Sequence, residues 1–591
     1  MASTDSGRLS IGRPAAGHGM VRGLDAVRSP QFQGSFGRMF RALPPANFTD
    51  EDLKKLAVGF GDGAQKREGM TAPPEVVIDA TGTPLRDAKG FLIPMATPED
   101  QVDDEENFGI PAGYTYLGQF IDHDITFDPT SSLQSKNDPD ALVDFRTPAL
   151  DLDNLYGRGP ADQPYMYEAD GIHFAFGRSL TRNGKETTQK DLLRSDKTDR
   201  ALIGDKRNDE NVIVSQLHGA FLRFHNFVAD ELLRKRKDTP FEDIQQLVRW
   251  HYQWIVLNDF LPRVAGLDVV QSVLPHLKNG TSIYDDPPKL HFFKWRNDRF
   301  MPVEFSVAAY RLGHSMVRPL YRLNTELGRN ASKDEIKRGV AGRQFIFAAI
   351  QDQGLNGFRK FPDLWAIDWQ LFFETRYKLG DPEHRDATRV QPSYNIDSSL
   401  VNPLAFLPEF SQATAGGDLE RDADGHPVPK RQNAGSERKA ISNLAHRNLL
   451  RGLNMGLPSG QSVARYMGLE PIPDDQLSVG KANVDGIQGN KAITQFGNSF
   501  KDNAPLWFYI LAEAQHQWLQ AATKSAGSDQ DKNMIPTRLG PVGGRIVAEV
   551  LIGLMLGDPH SFLSQWPTWK PSFMENGQFG MPELLKTIGL G

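Results

Sequence analysis

The sequence predicts a mainly α-helical protein, one large helical domain with little β-structure. Long stretches place apolar residues at steps of three and four, alternation of the strand kind is sparse and brief, and no fixed-period repeat breaks the chain into units. NVIVSQLHGAFLRFHNFVADELLRK from Asn211 repeats Val214, Leu217, Phe221, Phe224 and Val228 in this way, which predicts one long amphipathic helix. FEDIQQLVRWHYQWIVLNDFLPRVAG from Phe241 does the same with Ile244, Leu247, Val248, His251 and Ile255, and Pro262 marks its predicted end. PVEFSVAAYRLGHSMVRPLYRL from Pro302 reads as a third helix, with local irregularity at Gly313 and Pro319.

Between the helices, SSLQSKNDPDALVDF from Ser131 is turn chemistry, and ATAGGDLERDADGHPVPKRQNAGSERK from Ala413 is a charged, Gly/Pro-bearing excursion. Both are expected on the surface. DADG at Asp422 to Gly425 is similar to the start of a calcium loop but lacks the remaining ligand positions and flanking helices. Nothing resembles a linker between independent domains, so the expected division is a flexible tail over 1–45 and a single domain over 46–591.

Composition narrows the function. With 39% hydrophobic and 24% charged residues, the 591-residue chain can bury a sizeable core. A formal charge of -7 and scattered histidines leave no basic face for nucleic acid. The lack of cysteine excludes disulfides, thiolate ligands, iron-sulfur clusters and cysteine nucleophiles. RIVAEVLIGLMLGD from Arg545 is too short to cross a bilayer and contains Glu549, so no membrane span is expected. The N-terminus has no apolar block of the secretory kind. Its arginines, Arg8, Arg13, Arg22, Arg28, Arg38 and Arg41, suit a solvated arm better than a transit peptide.

Three short segments bear chemistry. In GQFIDHDITFDPT from Gly118, a helix places Gln119 and His123 on one face, with Asp122 and Asp124 flanking the histidine. A buried histidine satisfied by a neighbouring carboxylate has the same pattern. In GDKRNDEN from Gly204, Arg207 and Glu210 are spaced to share a face just before the long helix, as would also suit a solvated, charged helix start. In YRLGHSMV from Tyr310, His314 lies in an apolar setting where a core histidine is equally at home. A fourth segment, TPALDLDNLYG from Thr147, offers hydroxyl and carboxylate oxygens from Thr147, Asp151 and Asp153, which suit calcium or an Asx-rich turn. No HExxH or comparable zinc-ligand spacing is present.

Taken in order, these segments resemble the animal haem peroxidases from about Phe108 to Asp558. GQFIDHD is similar to the family's distal helix, TPALDLDNLYG to its calcium loop, and GDKRNDEN with LHGAFLRFHNFVADEL to its catalytic-arginine segment. YRLGHSMV is similar to its proximal helix, and NLLRGLNMGLPSGQSVARYMGL from Asn448 and GGRIVAEVLIGLMLGD from Gly543 to its C-terminal signatures. The resemblance implies a single helical haem-peroxidase domain with His123 as distal histidine, Arg207 as catalytic arginine and His314 as the iron's protein ligand. Gln119 would line the halide pocket, and Arg311 and Gln461 would join the haem-binding residues, Gln461 behind His314. Asp122 and Glu210 match the carboxylates that esterify the haem in mammalian members. Asp124, Thr147, Asp151 and Asp153, with the Ala149 carbonyl, match the calcium ligands. The cofactors implied are a haem b derivative and Ca2+.

The chemistry implied is reduction of hydrogen peroxide through a ferryl state that oxidises bromide, iodide, thiocyanate or phenolic donors. Neutral imidazole suits a proton shuttle, a guanidinium suits charge on a departing oxygen, and an axial histidine is tuned by its own hydrogen bond. Calcium would fix the backbone that aims His123. Asn211 stands where some members carry a methionine bonded to the haem, which argues against chloride oxidation. NLLRGLNMGLP also departs from the family's run of arginine, aspartate and histidine, keeping Arg451. Prostaglandin synthases carry a radical tyrosine three residues before the proximal histidine. Here Arg311 holds that position and Tyr310 lies one place earlier, which disfavours a fatty-acid dioxygenase. A weakly catalytic adhesion module stabilised by haem and calcium is the third reading. An extracellular destination by a non-classical route accords with the family's secreted members, with a cytoplasmic one as the alternative; no oligomeric state is legible.

Overall fold

The computed structural model describes residues 34–591 apart from 62–65, 82, 89–91, 99, 102, 127–142, 145, 183–184, 297–298, 349–353, 413, 415–419, 421–426 and 432–438. Helix dominates it, and among the described residues strands form only short two- and three-stranded sheets. The Ser131 segment lies largely outside the described residues, as do DADG and most of the Ala413 excursion.

The long helix expected from Asn211 spans Val212–Lys235. Asn211 caps it by accepting from the Ile213 and Val214 amides at 3.1 and 2.9 Å, and Arg234 and Lys235 complement the dipole at its end. Its apolar face packs on the Gly113–Ile125 helix and on the Phe241–Ile255 helix. The seam is aromatic: Phe120 stacks on Phe221 with centroids 4.6 Å apart, and Tyr252 meets both rings edge-on.

Pro262 does not end the second helix. A π turn over Val256–Phe260 widens the backbone, and an α segment Leu261–Ala265 follows with Pro262 in its first turn. The proline ring would otherwise collide with the carbonyl four residues earlier, and the wider turn relieves this. The third expected helix is broken into an α turn Val303–Ser306, a 3-10 turn Ala309–His314 and a strand Leu320–Arg322. Ala308 leaves helical backbone at φ -127° and ψ -75°, and the Ser306 carbonyl accepts from Arg311 Nε at 3.1 Å. A side chain thus replaces the missing helical bond.

Residues 34–45, expected in the tail, belong to the fold. Gly34–Gly37 pairs with Val143–Asp144 and Met301–Pro302, Phe36, Met39 and Phe40 are buried, and the Met39 and Phe40 amides donate to Glu304. The apolar run at Arg545 forms the Pro541–Gly557 helix, which is buried nearly all round against the Leu506–Lys524 helix. Its Glu549 accepts from the His291, Phe292 and Phe293 amides and from Arg545 Nε. That is how a carboxylate sits in an apolar helix. Among the described residues no helix is long and apolar enough to cross a membrane.

Candidate functional site

A cavity of about 350 Å³ opens between the Gly113–Ile125 helix, the turn before Val212–Lys235, the Ala309–His314 turn and the Leu444–Asn454 helix. His123, Gln119, Asp122, Arg207, Glu210, Arg311 and His314 all line it. Arg207 reaches it from a 3-10 turn, Lys206–Asp209, capped by Asp205. In such a turn residues three apart eclipse, so Arg207 and Glu210 emerge on the same side.

His123 is buried, and its Nδ1 lies 2.8 Å from Asn208 Oδ1. Asn208 Nδ2 in turn lies 2.9 Å from His218 Nδ1. Because the Asn208 oxygen only accepts, the proton belongs on His123 Nδ1, and the Nε2 lone pair remains for a reactant. Burial, with Arg207 nearby, pushes the imidazole pKa down to about 4, so His123 is a neutral base at pH 7. Arg207 is held by Asp205 at 2.7 Å and donates to the His123 carbonyl at 3.0 Å. Asn208 and His218 escaped the sequence reading because an amide and a helix-interior histidine ten residues apart have no local signature.

Gln119 Nε2 donates to Glu210 Oε1 at 2.9 Å, and Asn211 donates to Gln119 Oε1 at 3.1 Å. Burial and then Glu409 raise the Glu210 pKa to about 7. Asp122 Oδ1 accepts from Thr126 Oγ1 at 3.1 Å.

Across the cavity floor His314 Nδ1 meets the Asn448 amide at 2.7 Å. Gln461, expected behind this histidine, is elsewhere: it donates to Asp474 and accepts from the Ala504 amide, and it does not line the cavity. The Leu444–Asn454 helix presents Asn448 one turn before Arg451, whereas Gln461 falls on the following helix, Gly460–Tyr466. Counting one turn back from Arg451 would have found it. Burial and then Arg311 push the His314 pKa down to about 3, leaving a neutral imidazole, the form that ligates metal.

Arg311, Arg447 and Arg451 converge on the same cavity. Burial, then the crowding of Arg451, lowers Arg311 to about 10. Such a cluster calls for anionic partners, and the two carboxylates of a haem fit it.

Beside His123, Asp124, Asp151 and Asp153 are buried, with carboxylate oxygens within 4.8 Å of one another. Asp124 Oδ2 accepts from the Leu152 amide at 3.2 Å, while Asp124 Oδ1 is buried without a partner. Burial and the neighbouring Asp151 raise Asp124 to about 8. Thr147 is buried beside them, its hydroxyl 3.5 Å from Asp153, and the Ala149 amide closes a tight turn onto the Thr147 carbonyl at 2.7 Å. Hard oxygens gathered around an unsatisfied carboxylate fit a calcium ion.

The fold and cavity thus define a mainly helical protein in which two buried-element histidines, one beside an arginine and one beside an amide, share a single cavity. The sequence matches the family described as animal haem peroxidase over residues 131–354, a span that includes Arg207, Glu210 and His314 and begins after His123. It is similar to mouse myeloperoxidase, 23% identical over 41% of this chain and 42% of that one. Human eosinophil peroxidase is 23% identical over 73% of this chain and 61% of that one. A peroxidase-like protein of Margaritifera margaritifera is 33% identical over 20% of this chain and 14% of that one. Among solved structures, peroxidase A from Dictyostelium discoideum matches with a TM-score of 0.46 and 14% identity, covering 88% of this chain and 94% of that one. The chain spans less than half the length of mouse myeloperoxidase. These similarities are to animal haem peroxidases, and the family match itself covers residues 131–354 of the chain.

Proposed function

We propose that the protein is a haem peroxidase that reduces hydrogen peroxide and oxidises small donors. The observation that carries this is the shared cavity: neutral His123 beside Arg207, and neutral His314 backed by Asn448. The haem, when bound, supplies the redox chemistry. His314 would hold its iron through Nε2, its ring oriented by the Asn448 amide nitrogen 2.7 Å from Nδ1, while the Asn448 oxygen accepts from Arg311. Arg311 and Arg451 would pair with the propionates.

His123 Nε2 takes the proton from one oxygen of the peroxide and returns it to the other as the O-O bond breaks. Arg207 stabilises the negative charge gathering on the departing oxygen. Gln119, fixed between Glu210 and Asn211, lines the space where a halide would approach. Bromide, iodide, thiocyanate and phenols are the proposed donors, and chloride is not among them because Asn211 supplies no sulfonium link. Calcium on Asp124, Thr147, the Ala149 carbonyl, Asp151 and Asp153 would hold the backbone that aims His123.

The test is the optical spectrum of the haem-loaded protein before and after one equivalent of hydrogen peroxide, then with each donor. A Soret band that shifts and returns with donor supports the reading; a band indifferent to peroxide rejects it. A fatty-acid dioxygenase is the second reading, because Tyr310 lines the same cavity with a buried, unpartnered hydroxyl. Oxygen uptake with a lipid in the absence of peroxide would favour it.

Two further expectations arise here. Asn208→Asp sets a carboxylate against His123 Nδ1 and stabilises the imidazolium. The acid limb of kcat/KM for peroxide, set in the native protein by a histidine pKa near 4, should therefore move to higher pH. A limb that stays in place excludes Asn208 from setting this base. Ester links through Asp122 and Glu210 should make haem resist extraction by acidified organic solvent after peroxide treatment, and Asp122→Asn with Glu210→Gln should release it. Ready extraction from the treated native protein would refute the links.

A further inference from the structure

Arg146 does not line the cavity, yet it ties the aspartate cluster to the cavity's arginine. Its Nη1 lies 3.1 Å from Asp153 Oδ1, its Nη2 lies 2.5 Å from Asp205 Oδ2 and 3.3 Å from the Gly204 carbonyl, and its Nε lies 3.2 Å from the same Asp205 oxygen. Asp205 is only 4% exposed and is shared. Arg207 donates to it from the backbone amide at 2.8 Å, from Nε at 3.2 Å to both oxygens, and from Nη2 at 2.7 Å. One buried carboxylate therefore stands between two guanidinium groups.

A carboxylate paired with Arg207 alone could turn with it, since charge attraction sets a distance and leaves direction loose. The planar fork of Arg146 spans Asp153 and Asp205 and also grips a backbone carbonyl, so it fixes the Asp205 oxygen to the scaffold. Arg207 is aimed in turn. A charge meant to meet a developing anion loses most of its effect when misplaced by about 1 Å.

We propose that Arg146 is a positioning residue: by anchoring Asp205 to Asp153 it sets where Arg207 holds its charge in the cavity. The catalytic consequence rests on the peroxidase reading, whereas the positioning does not. A substitution at the aspartate cluster reaches Arg207 by this route as well as through the backbone from Asp124 to His123.

The experiment uses the full-length ferric haem-loaded protein and fluoride, a small anion whose binding on the His123 side depends on a well-placed cation. Its dissociation constant is read from the Soret shift, beside kcat and KM for peroxide, in Arg146→Leu, Arg146→Lys, Arg207→Leu and the Arg146→Leu/Arg207→Leu double variant. Arg146→Leu should weaken fluoride roughly tenfold and lower kcat/KM in step, and the same substitution should change fluoride affinity less than about twofold once Arg207 is leucine. Arg146→Lys should fall between, because an ammonium keeps the charge and loses the fork.

An undiminished fluoride affinity in Arg146→Leu, or an equal loss with and without Arg207, overturns the proposal. Should Arg146→Leu not fold, a crystal structure of Arg146→Lys decides: a displaced Arg207 guanidinium supports the proposal and an unmoved one refutes it. Fluoride binding without peroxide turnover in the native protein would sink the peroxidase reading and leave the fluoride comparison valid.

Discussion

His123→Ala should lower the second-order rate of reaction with hydrogen peroxide by roughly 10²–10⁴-fold, the range general acid-base catalysis supplies, while haem stays bound through His314. Three features of the site make the effect this large. The imidazole is buried and neutral, Asn208 fixes its tautomer, and among the described residues no second histidine lines the cavity on that side to take its place. Stopped-flow mixing with peroxide, followed at the Soret band, measures the rate directly. A variant that reacts within a few fold of the native protein would show that His123 is not the proton shuttle. The lesion should also be specific: an added imidazole base in solution should recover part of the rate in His123→Ala and none in Arg207→Leu.

The second large effect concerns stability. Glu106 is fully buried and pairs with Arg318 at 2.8 Å and with Arg389 at 2.9 Å, joining the strand that precedes the Gly113–Ile125 helix to the segments that follow His314. Glu106→Gln removes the negative charge that Arg318 and Arg389 share, Arg318 being almost wholly buried, which should cost about 3–5 kcal/mol in urea unfolding. Burial raises the Glu106 pKa, but Arg389 and Arg318 outweigh it and hold the carboxyl below its usual range. Its folded pKa is therefore depressed. The stabilisation is fully present above the unfolded-chain value of 4.5 and is lost as pH falls through the folded value. Native stability should fall steeply in acid, and Glu106→Gln should flatten that fall. A variant within about 0.5 kcal/mol of the native protein, with the same acid limb, would show that the pair adds no net stability.

Which residues come together at the cavity and the aspartate cluster was legible where one turn of chain holds them. Gln119 and His123 share a helix face, Arg207 and Glu210 share a 3-10 turn, and Asp151 and Asp153 alternate along one loop, so local spacing suffices for all three groups. Asn448 was misassigned to Gln461 because both are amides in the same segment. Only the packing of the Leu444–Asn454 helix against the His314 turn shows which one reaches the imidazole. Asn208, His218 and Arg146 were missed for a related reason. Each acts through a partner whose distance along the chain has no periodic signal.

By itself the sequence determined the helical class and the long Val212–Lys235 helix with its asparagine cap, and it singled out histidines, an arginine and aspartates that the fold gathers around the cavity and its neighbouring cluster. These follow from apolar periodicity and from residue chemistry, both local properties of the chain. The tertiary structure alone decided that the Pro302 segment breaks at His314 instead of running as one helix, that the chain stays helical through Pro262, and that Phe36, Met39 and Phe40 join the core. It also decided which carboxylates and amides meet. Such contacts are set by long-range packing, where a side chain such as Arg311 satisfies a distant carbonyl and a buried carboxylate takes whichever cation the fold brings within 3 Å.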